Sequence, residues 1–304
     1  MKHNLQRGAL FLTIATCVLA LLNALQKKLG GQLTALEIVF FRNLFSLPFV
    51  LFVARRTGGT LRTQHFGRHV ARSGFGLLSM VMIVYTVTHL PLAEQQALSY
   101  TQPLFLVLLS IPLLGERPSI HRWVAVGIGF TGVLVVAAGK GLFQTTDGMQ
   151  FAALIALAQG AVGALTTMQI RQLSATEAST TITLWQAILM TLATAIPLPF
   201  IWVTPSASAW LPLIFIGVFA GLSQILQTEA FASAEVSAIG PFTYTGLFWA
   251  ALIGWFAFEE PPGIATIVGG ALIVSAGIWM LRHDRHPTPA EVLPSLSQTN
   301  GQPE

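Results

Sequence analysis

The chain is written as a series of apolar runs of near-constant length, separated by short polar breaks. A helix rises ~1.5 Å per residue, so some twenty apolar residues match the ~30 Å hydrocarbon core of a bilayer. The first run, Gly8–Leu25, follows the basic segment Met1–Arg7. Further runs fall near 34–54, 70–89, 95–114 and 121–139. After a polar break at Lys140–Gln150 they resume near 151–170, 179–201, 210–230, 237–257 and 264–281. Only 9% of the 304 residues are charged, against roughly 25% in soluble domains. So few charges cannot cover a water-facing surface, and a polytopic membrane protein follows. Cys17 is the one cysteine, so no internal disulfide can form.

The net charge of +4 is laid out for membrane orientation, not for nucleic acid. With the N-terminus in the cytoplasm, twelve of the sixteen Lys and Arg residues lie inside, Arg55, Arg56, Arg62, Arg68 and Arg72 among them. Lys27, Lys28 and Lys140 lie outside, and Arg42 lies within a span. This bias predicts cytoplasmic N- and C-termini. The end of the chain, 282–304, sets Pro287, Pro289, Pro294 and Pro303 among small polar residues and reads as a disordered cytoplasmic tail.

The stretch Ser99-Tyr100-Thr101-Gln102-Pro103, an apolar run and then Gly115-Glu116-Arg117-Pro118 has a counterpart 144 positions on. There Thr243-Tyr244-Thr245 leads through an apolar run to Glu259-Glu260-Pro261-Pro262. Tyr100 falls on Tyr244, Glu116 on Glu260 and Pro118 on Pro262. Five runs precede the central break and five follow it. An odd number of spans per copy inserts the second copy upside down, a recurrent architecture of secondary transporters with a site between the halves. The expected fold is therefore an all-α integral membrane protein. Its ten transmembrane helices form two inverted five-helix repeats, 1–139 and 147–281. Because the first run has a partner at Phe151–Arg171, it is expected to be a retained span, not a cleaved signal peptide.

Arg42 lies about eight residues into span 2, a depth that costs on the order of 2.5–3.5 kcal/mol unless the charge meets a partner or a wet cavity. No acid is well placed in its own helix: Ile38 and Ser46 are its i ± 4 neighbours. It is either a clamp for a substrate carboxylate or phosphate or a structural tie to carbonyls or a buried acid. Overlaying the halves puts Trp185 and Gln186 on Arg42 and Asn43. Trp185, Tyr100 and Tyr244 offer flat faces with polar tips, suited either to an amphipathic solute or to packing. Gln95, Ser99 and Gln102 follow i, i+4, i+7 spacing, and Gln224, Gln227 and Thr228 share a stripe. Asn23 with Gln26, and Gln159 with Gln169, are further polar positions. The substrate-lining candidates are Arg42, Tyr100, Gln102, Trp185, Gln186, Gln227 and Tyr244. Glu37, Glu94 and Glu229 lie near span ends and are the candidates for a coupling proton.

Other patterns are set aside. Gly127-Ile128-Gly129-Phe130-Thr131-Gly132 matches a dinucleotide fingerprint but lies inside an apolar span, where close helix packing explains it. Gly217 and Gly221 read the same way. His65 and His69 have metal-pair spacing without a third ligand, so no metal is expected. Neither a Walker loop nor a serine-nucleophile elbow is present, and no cofactor is expected.

The twofold layout, Phe40-Phe41-Arg42, the Pro103 span and the Gly115-Glu116-Arg117-Pro118 exit resemble the EamA family of the drug/metabolite transporter superfamily. The resemblance covers about 5–281. It implies ten helices around a central cavity and transport of a small organic solute. Members move amino acids, nucleotide-like metabolites and vitamins. Here Leu247 stands opposite Pro103 and Trp185 opposite Arg42, so the halves are not chemically equivalent. The expectation is an inner-membrane secondary transporter, monomer or homodimer in the bilayer, moving an amino acid or related metabolite by alternating access. The rival readings are a multidrug-type exporter of amphipathic cations, an integral-membrane enzyme acting on a lipid-linked substrate, and a channel or structural subunit.

Overall fold

The computed structural model describes residues 5–57, 61–102, 104–105, 108–109, 120–139, 148–174, 176–177, 179–233 and 240–283. Among these, every regular element is helical. They are α1 Leu5–Leu29, α2 Ala35–Thr57, α3 Phe66–His89, α4 Leu92–Ser99, α5 Ile120–Gly139 and α6 Gly148–Ser174. Then follow α7 Ser179–Ala195, α8 Leu198–Ile201, α9 Ala207–Ser233, a 3-10 turn at Gly240–Tyr244, α10 Thr245–Phe258 and α11 Ile264–His283.

Among the described residues, five helices are long and apolar enough to cross a membrane: Gln6–Leu29, Ala35–Arg56, Phe66–His89, Met149–Ile170 and Ala207–Gln227. Shorter apolar stretches lie at Trp123–Val136, Thr181–Ala195, Phe242–Phe258 and Ile264–Ala276. Three expected runs are subdivided. The run at 179–201 ends as α7 at Ala195, and α8 starts anew beyond Pro197, whose ring nitrogen has no hydrogen to donate. The run at 237–257 enters through the 3-10 turn, which holds Pro241. The run at 95–114 breaks after Ser99, turns through Tyr100 and Thr101, and is helical again at Gln102. Pro103 cannot supply the amide hydrogen that the Ser99 carbonyl would need to continue the helix. Most of the rest of that run, like the Lys140–Asp147 part of the central break and the tail from 284, lies outside the described residues.

The outer surface is apolar. Phe200 is 88% exposed, Ile264 82% and Phe256 76%. Such exposure is unfavourable in water and ordinary against lipid tails.

The helices pack in pairs that exchange under a twofold operation taking 1–139 onto the second half. α1 lies on α9, as α6 lies on α3. α2 contacts α9, as α7 contacts α3, and α1 contacts α10, as α6 contacts α4. The pairs α2–α7, α4–α10 and α5–α11 map onto themselves. In the last pair Gly132 faces Gly269. A Cβ on Gly132 would come within 2.6 Å of the Gly269 carbonyl oxygen, so only glycine permits this approach. The close-packing reading of the glycine run thus holds for Gly132, whereas Gly127 has open space around it. Gly217 and Gly221 pack on Phe45 and Phe49 of α2.

Candidate functional site

The site grows from the breaks in the two self-paired helices. The turn after α4 and the 3-10 turn before α10 bring Tyr100 and Tyr244 together, ring centroids 5.1 Å apart and planes 71° apart. The Tyr100 hydroxyl donates to the Thr243 carbonyl at 3.0 Å, and Thr245 Oγ1 meets Thr16 Oγ1 of α1 at 2.8 Å. Broken helices of this kind turn backbone groups and polar side chains inward near the membrane midplane.

Beside them opens a cavity of about 290 Å³, walled by both halves. Arg42, Gln95, Gln96, Ser99, Tyr100 and Gln102 come from the first half, and Gln159, Gln227, Thr243 and Gly246 from the second. Two smaller spaces of about 190 Å³ and 60 Å³ share Arg42 with it, and both also touch Gln186. Arg42 therefore stands where three cavities meet. No Asp or Glu among the described residues lines any of them. The wall is mostly carboxamide, with hydrogen-bond donors and acceptors and one cation. Gln102 Nε2 donates to Thr167 Oγ1 at 2.9 Å, and Gln159 Nε2 donates to Ser79 Oγ at 3.3 Å.

Of the seven sequence candidates, Arg42, Tyr100, Gln102 and Gln227 lie on the large cavity and Gln186 on the two smaller ones. Tyr244 backs Tyr100. Trp185 is placed elsewhere: its ring packs on Phe66 at 5.2 Å and His69 at 6.1 Å, towards the N-terminal end of α3. Successive helical residues point about 100° apart, and here that turn takes Trp185 towards α3 and Gln186 towards the two small spaces. The stripe of Gln95, Ser99 and Gln102 and the positions Asn23, Gln159 and Gln227 all reach the cavity wall.

The acids behave differently from one another. Glu37 is fully buried and closes a capping box on α2. Its Oε2 accepts from the Thr34 amide at 2.8 Å and the Thr34 hydroxyl at 2.9 Å, while the Glu37 amide donates to Thr34 Oγ1 at 3.3 Å. Its Oε1 accepts from the Val203 amide at 2.5 Å, tying the α8–α9 loop to the N-terminal end of α2. Glu94 is buried in α4, next to Gln95. The Glu229 side chain lies outside the described residues. Glu260, the repeat partner of Glu116, pairs with Lys27 at 2.6 Å, and Lys27 also donates to the Leu90 carbonyl at 2.7 Å.

Two groups escaped the sequence reading. Arg72, read there as an orientation charge, is only 5% exposed, and its Nη2 donates to Gln186 Oε1 at 2.6 Å. One helical turn towards the N-terminus of α3, His69 Nε2 meets Glu177 Oε2 at 2.7 Å, and Thr63 donates to Glu177 Oε1. Partial burial works against the Glu177 carboxylate. The hydrogen bonds from Thr63 and His69 and the nearby His69 and His65 rings nonetheless hold its pKa below the ordinary 4.5. The spacing Arg72, Gly76, Ser79 (i, i+4, i+7) was the available signal that Arg72 shares the inward face of α3.

The EamA-like transporter family model matches this chain twice, over residues 6–138 and 150–282. The pseudopaline exporter CntI of Pseudomonas aeruginosa is 30% identical over 283 residues, 91% of this chain and 97% of that protein. A riboflavin transporter of Brucella anthropi is 29% identical over 255 residues, 81% of this chain and 88% of its own length. An S-adenosylmethionine uptake transporter of Rickettsia felis is 25% identical over 267 residues, 86% of this chain and 88% of its own. A crystal structure with 16% identity superposes with a TM-score of 0.64 over 91% of this chain and 95% of that one. With the apolar exterior, the duplicated helices and the polar cavity between them, these matches show a multi-pass membrane transporter of small molecules, not an enzyme, and the chain belongs to the EamA-like transporter family.

Proposed function

We propose that the protein is a secondary active transporter of a small organic metabolite with an anionic group, an amino acid or a related compound. It would work across a bacterial inner membrane by alternating access. The reading has ten spans in two inverted repeats (1–139 and 147–281), both termini cytoplasmic, and the cavity at Arg42 as the substrate site. What carries it is Arg42 itself: a guanidinium at the meeting point of three cavities, with no hydrogen bond or ion pair to any described residue. A cation with no partner among the described residues, in a wall to which no described residue brings a carboxylate, favours an anionic guest and disfavours an amphipathic cation. Tyr100, Gln102, Gln186, Gln227 and Tyr244 would orient the rest of the solute. Rocking of the two halves would break the outer tie at Lys27–Glu260 and the inner one at His69–Glu177 in turn. A proton gradient is the energy source in this reading, with Glu94, the buried acid beside the cavity helix, and Glu229 as the proton sites to test.

The test is flux in proteoliposomes. A radiolabelled panel of amino acids, organic acids, nucleosides and flavins, together with cationic dyes, is run with and without a proton gradient. Wild type should move an anionic member saturably, and Arg42→Ala should lower that flux about tenfold or more, the scale of one lost charge-assisted hydrogen bond. Transport of dyes alone, unchanged in Arg42→Ala, would overturn the reading.

A further inference from the structure

The carboxamides around the cavity sharpen the class of guest, on the basis that the cavity at Arg42 is the substrate site. We propose that the site takes a solute carrying both an anion and a protonated amine, the anion held by Arg42 and the amine by the side-chain oxygen of Gln102.

Arg42 and Gln102 border the same two spaces, of about 290 Å³ and 190 Å³, so one solute there meets both. The orientation of Gln102 is set by its neighbour. Thr167 donates its hydroxyl hydrogen to the Gly163 carbonyl at 3.0 Å, so towards Gln102 its Oγ1 can only accept. It is therefore the nitrogen of Gln102 that faces Thr167, at 2.9 Å, and Oε1 is left without a partner among the described residues. Room for this carboxamide comes from Gly163 of α6, where a Cβ would lie 2.9 Å from Gln102 Oε1 and 3.3 Å from Gln159 Nε2. Gln159 and Gln95 divide their atoms in the same way. Their nitrogens donate to Ser79 Oγ at 3.3 Å and Ser99 Oγ at 2.7 Å, and their oxygens are buried without a partner among the described residues. Those two oxygens are enclosed in the wall, so contact with the solute rests on Gln102, which is only partly buried. Their own effect is electrostatic. Unpaired carbonyl oxygens are the negative ends of fixed dipoles, and in a low dielectric they favour a cationic donor over a neutral one. No Asp or Glu among the described residues borders either space. A carboxylate on this wall would compete with the solute's anion for Arg42. A carbonyl oxygen accepts an ammonium and leaves the guanidinium to the anion. A plain organic acid meets Arg42 alone, and a zwitterion meets both poles.

The experiment is titration calorimetry on the full-length protein in nanodiscs at neutral pH. The probes are α-amino acids and straight-chain ω-amino acids. Each is run beside the acid in which hydrogen replaces the amino group and the acid in which hydroxyl replaces it. On at least one skeleton the amino acid should bind about tenfold or more tighter than its des-amino acid, as a second charge-assisted contact provides. The hydroxy acid, a neutral donor, should fall between them. In Gln102→Met, which keeps the length and loses the acceptor, the ratio should fall to near one. In Gln102→Glu, which keeps an acceptor, it should persist. Equal affinity of amino and des-amino acids on every skeleton would overturn the proposal, and this comparison uses wild type alone, so it stands even if the variants fail to fold. A hydroxy acid that binds as tightly as its amino acid would overturn the amine assignment. So would a ratio unchanged in Gln102→Met, which would leave Gln102 as a brace for Thr167. If des-amino acids bind and are transported as well as amino acids, this inference is lost and the anion-transporter reading stays. If no member of either class binds, both are lost.

Discussion

Arg42 and Glu37 sit five residues apart on α2 and illustrate two ways of burying charge. Glu37 satisfies its carboxylate with three local donors, two from Thr34 and one from Val203, so its role is to fix the start of the helix and the loop that rests on it. Glu37→Ala should lower stability by about 1–2 kcal/mol, read as a drop in the melting temperature, with ligand affinity unchanged. Glu177 gives the pH test. Its carboxyl is held below 4.5 in the folded protein, so the folded state binds that proton less tightly than the unfolded state does. Its contribution is complete above about pH 4.5 and is lost as the pH falls through the lower folded value. Glu177→Gln should therefore melt lower than wild type at neutral pH, and the gap should close on acidification; a gap that stays constant down to pH 3 would contradict this. The depth of Arg42 was legible because an arginine inside an apolar run has no bland position. Arg72 was not, since a basic residue at the start of a span is what orientation alone would place there. Trp185 misled for a geometric reason: overlay of two repeats gives the level in the membrane but not the rotation of the helix.

At the scale of elements, the apolar runs gave the long helices, but not their interruptions. α4 and α10 matter because they are broken, and the break lies at the paired tyrosines. Pro103 signals one break. The matching position in the second half is Leu247, so the 3-10 entry at Gly240–Tyr244, which holds Pro241, has no proline counterpart that overlay could have found. The α5–α11 pair is the opposite case, where sequence and structure agree through one residue. Gly132→Leu would drive a side chain into the Gly269 carbonyl and should destabilise the protein by about 1–3 kcal/mol or more, measurable as a lower melting temperature in detergent. Gly127→Leu, which faces open space, should leave it unchanged. Equal effects of the two would refute the packing assignment.

Across the whole molecule, duplication explains the architecture. A 144-residue offset seen in a few tyrosines, glutamates and prolines reappears as a set of helix contacts that exchange between the halves. The cavity lies between these halves because each copy leaves its polar faces, such as Gln95, Ser99 and Gln102, for the other to cover. What the repeat cannot encode is the guest, since chemistry enters where the copies differ: arginine in one half at Arg42, tryptophan in the other at Trp185. The most direct measurement of the central claim is a thermal-shift screen of the purified protein. The panel holds amino acids, organic acids, nucleosides, flavins and cationic dyes, for wild type and Arg42→Ala. A bound ligand raises apparent stability by mass action, by about 2.7 kcal/mol at a hundredfold excess over Kd. A rise with an anionic metabolite is expected, and it should disappear in Arg42→Ala while the ligand-free melting temperature holds. A rise with cationic dyes alone, equal in both proteins, would contradict it and leave Arg42 a structural residue.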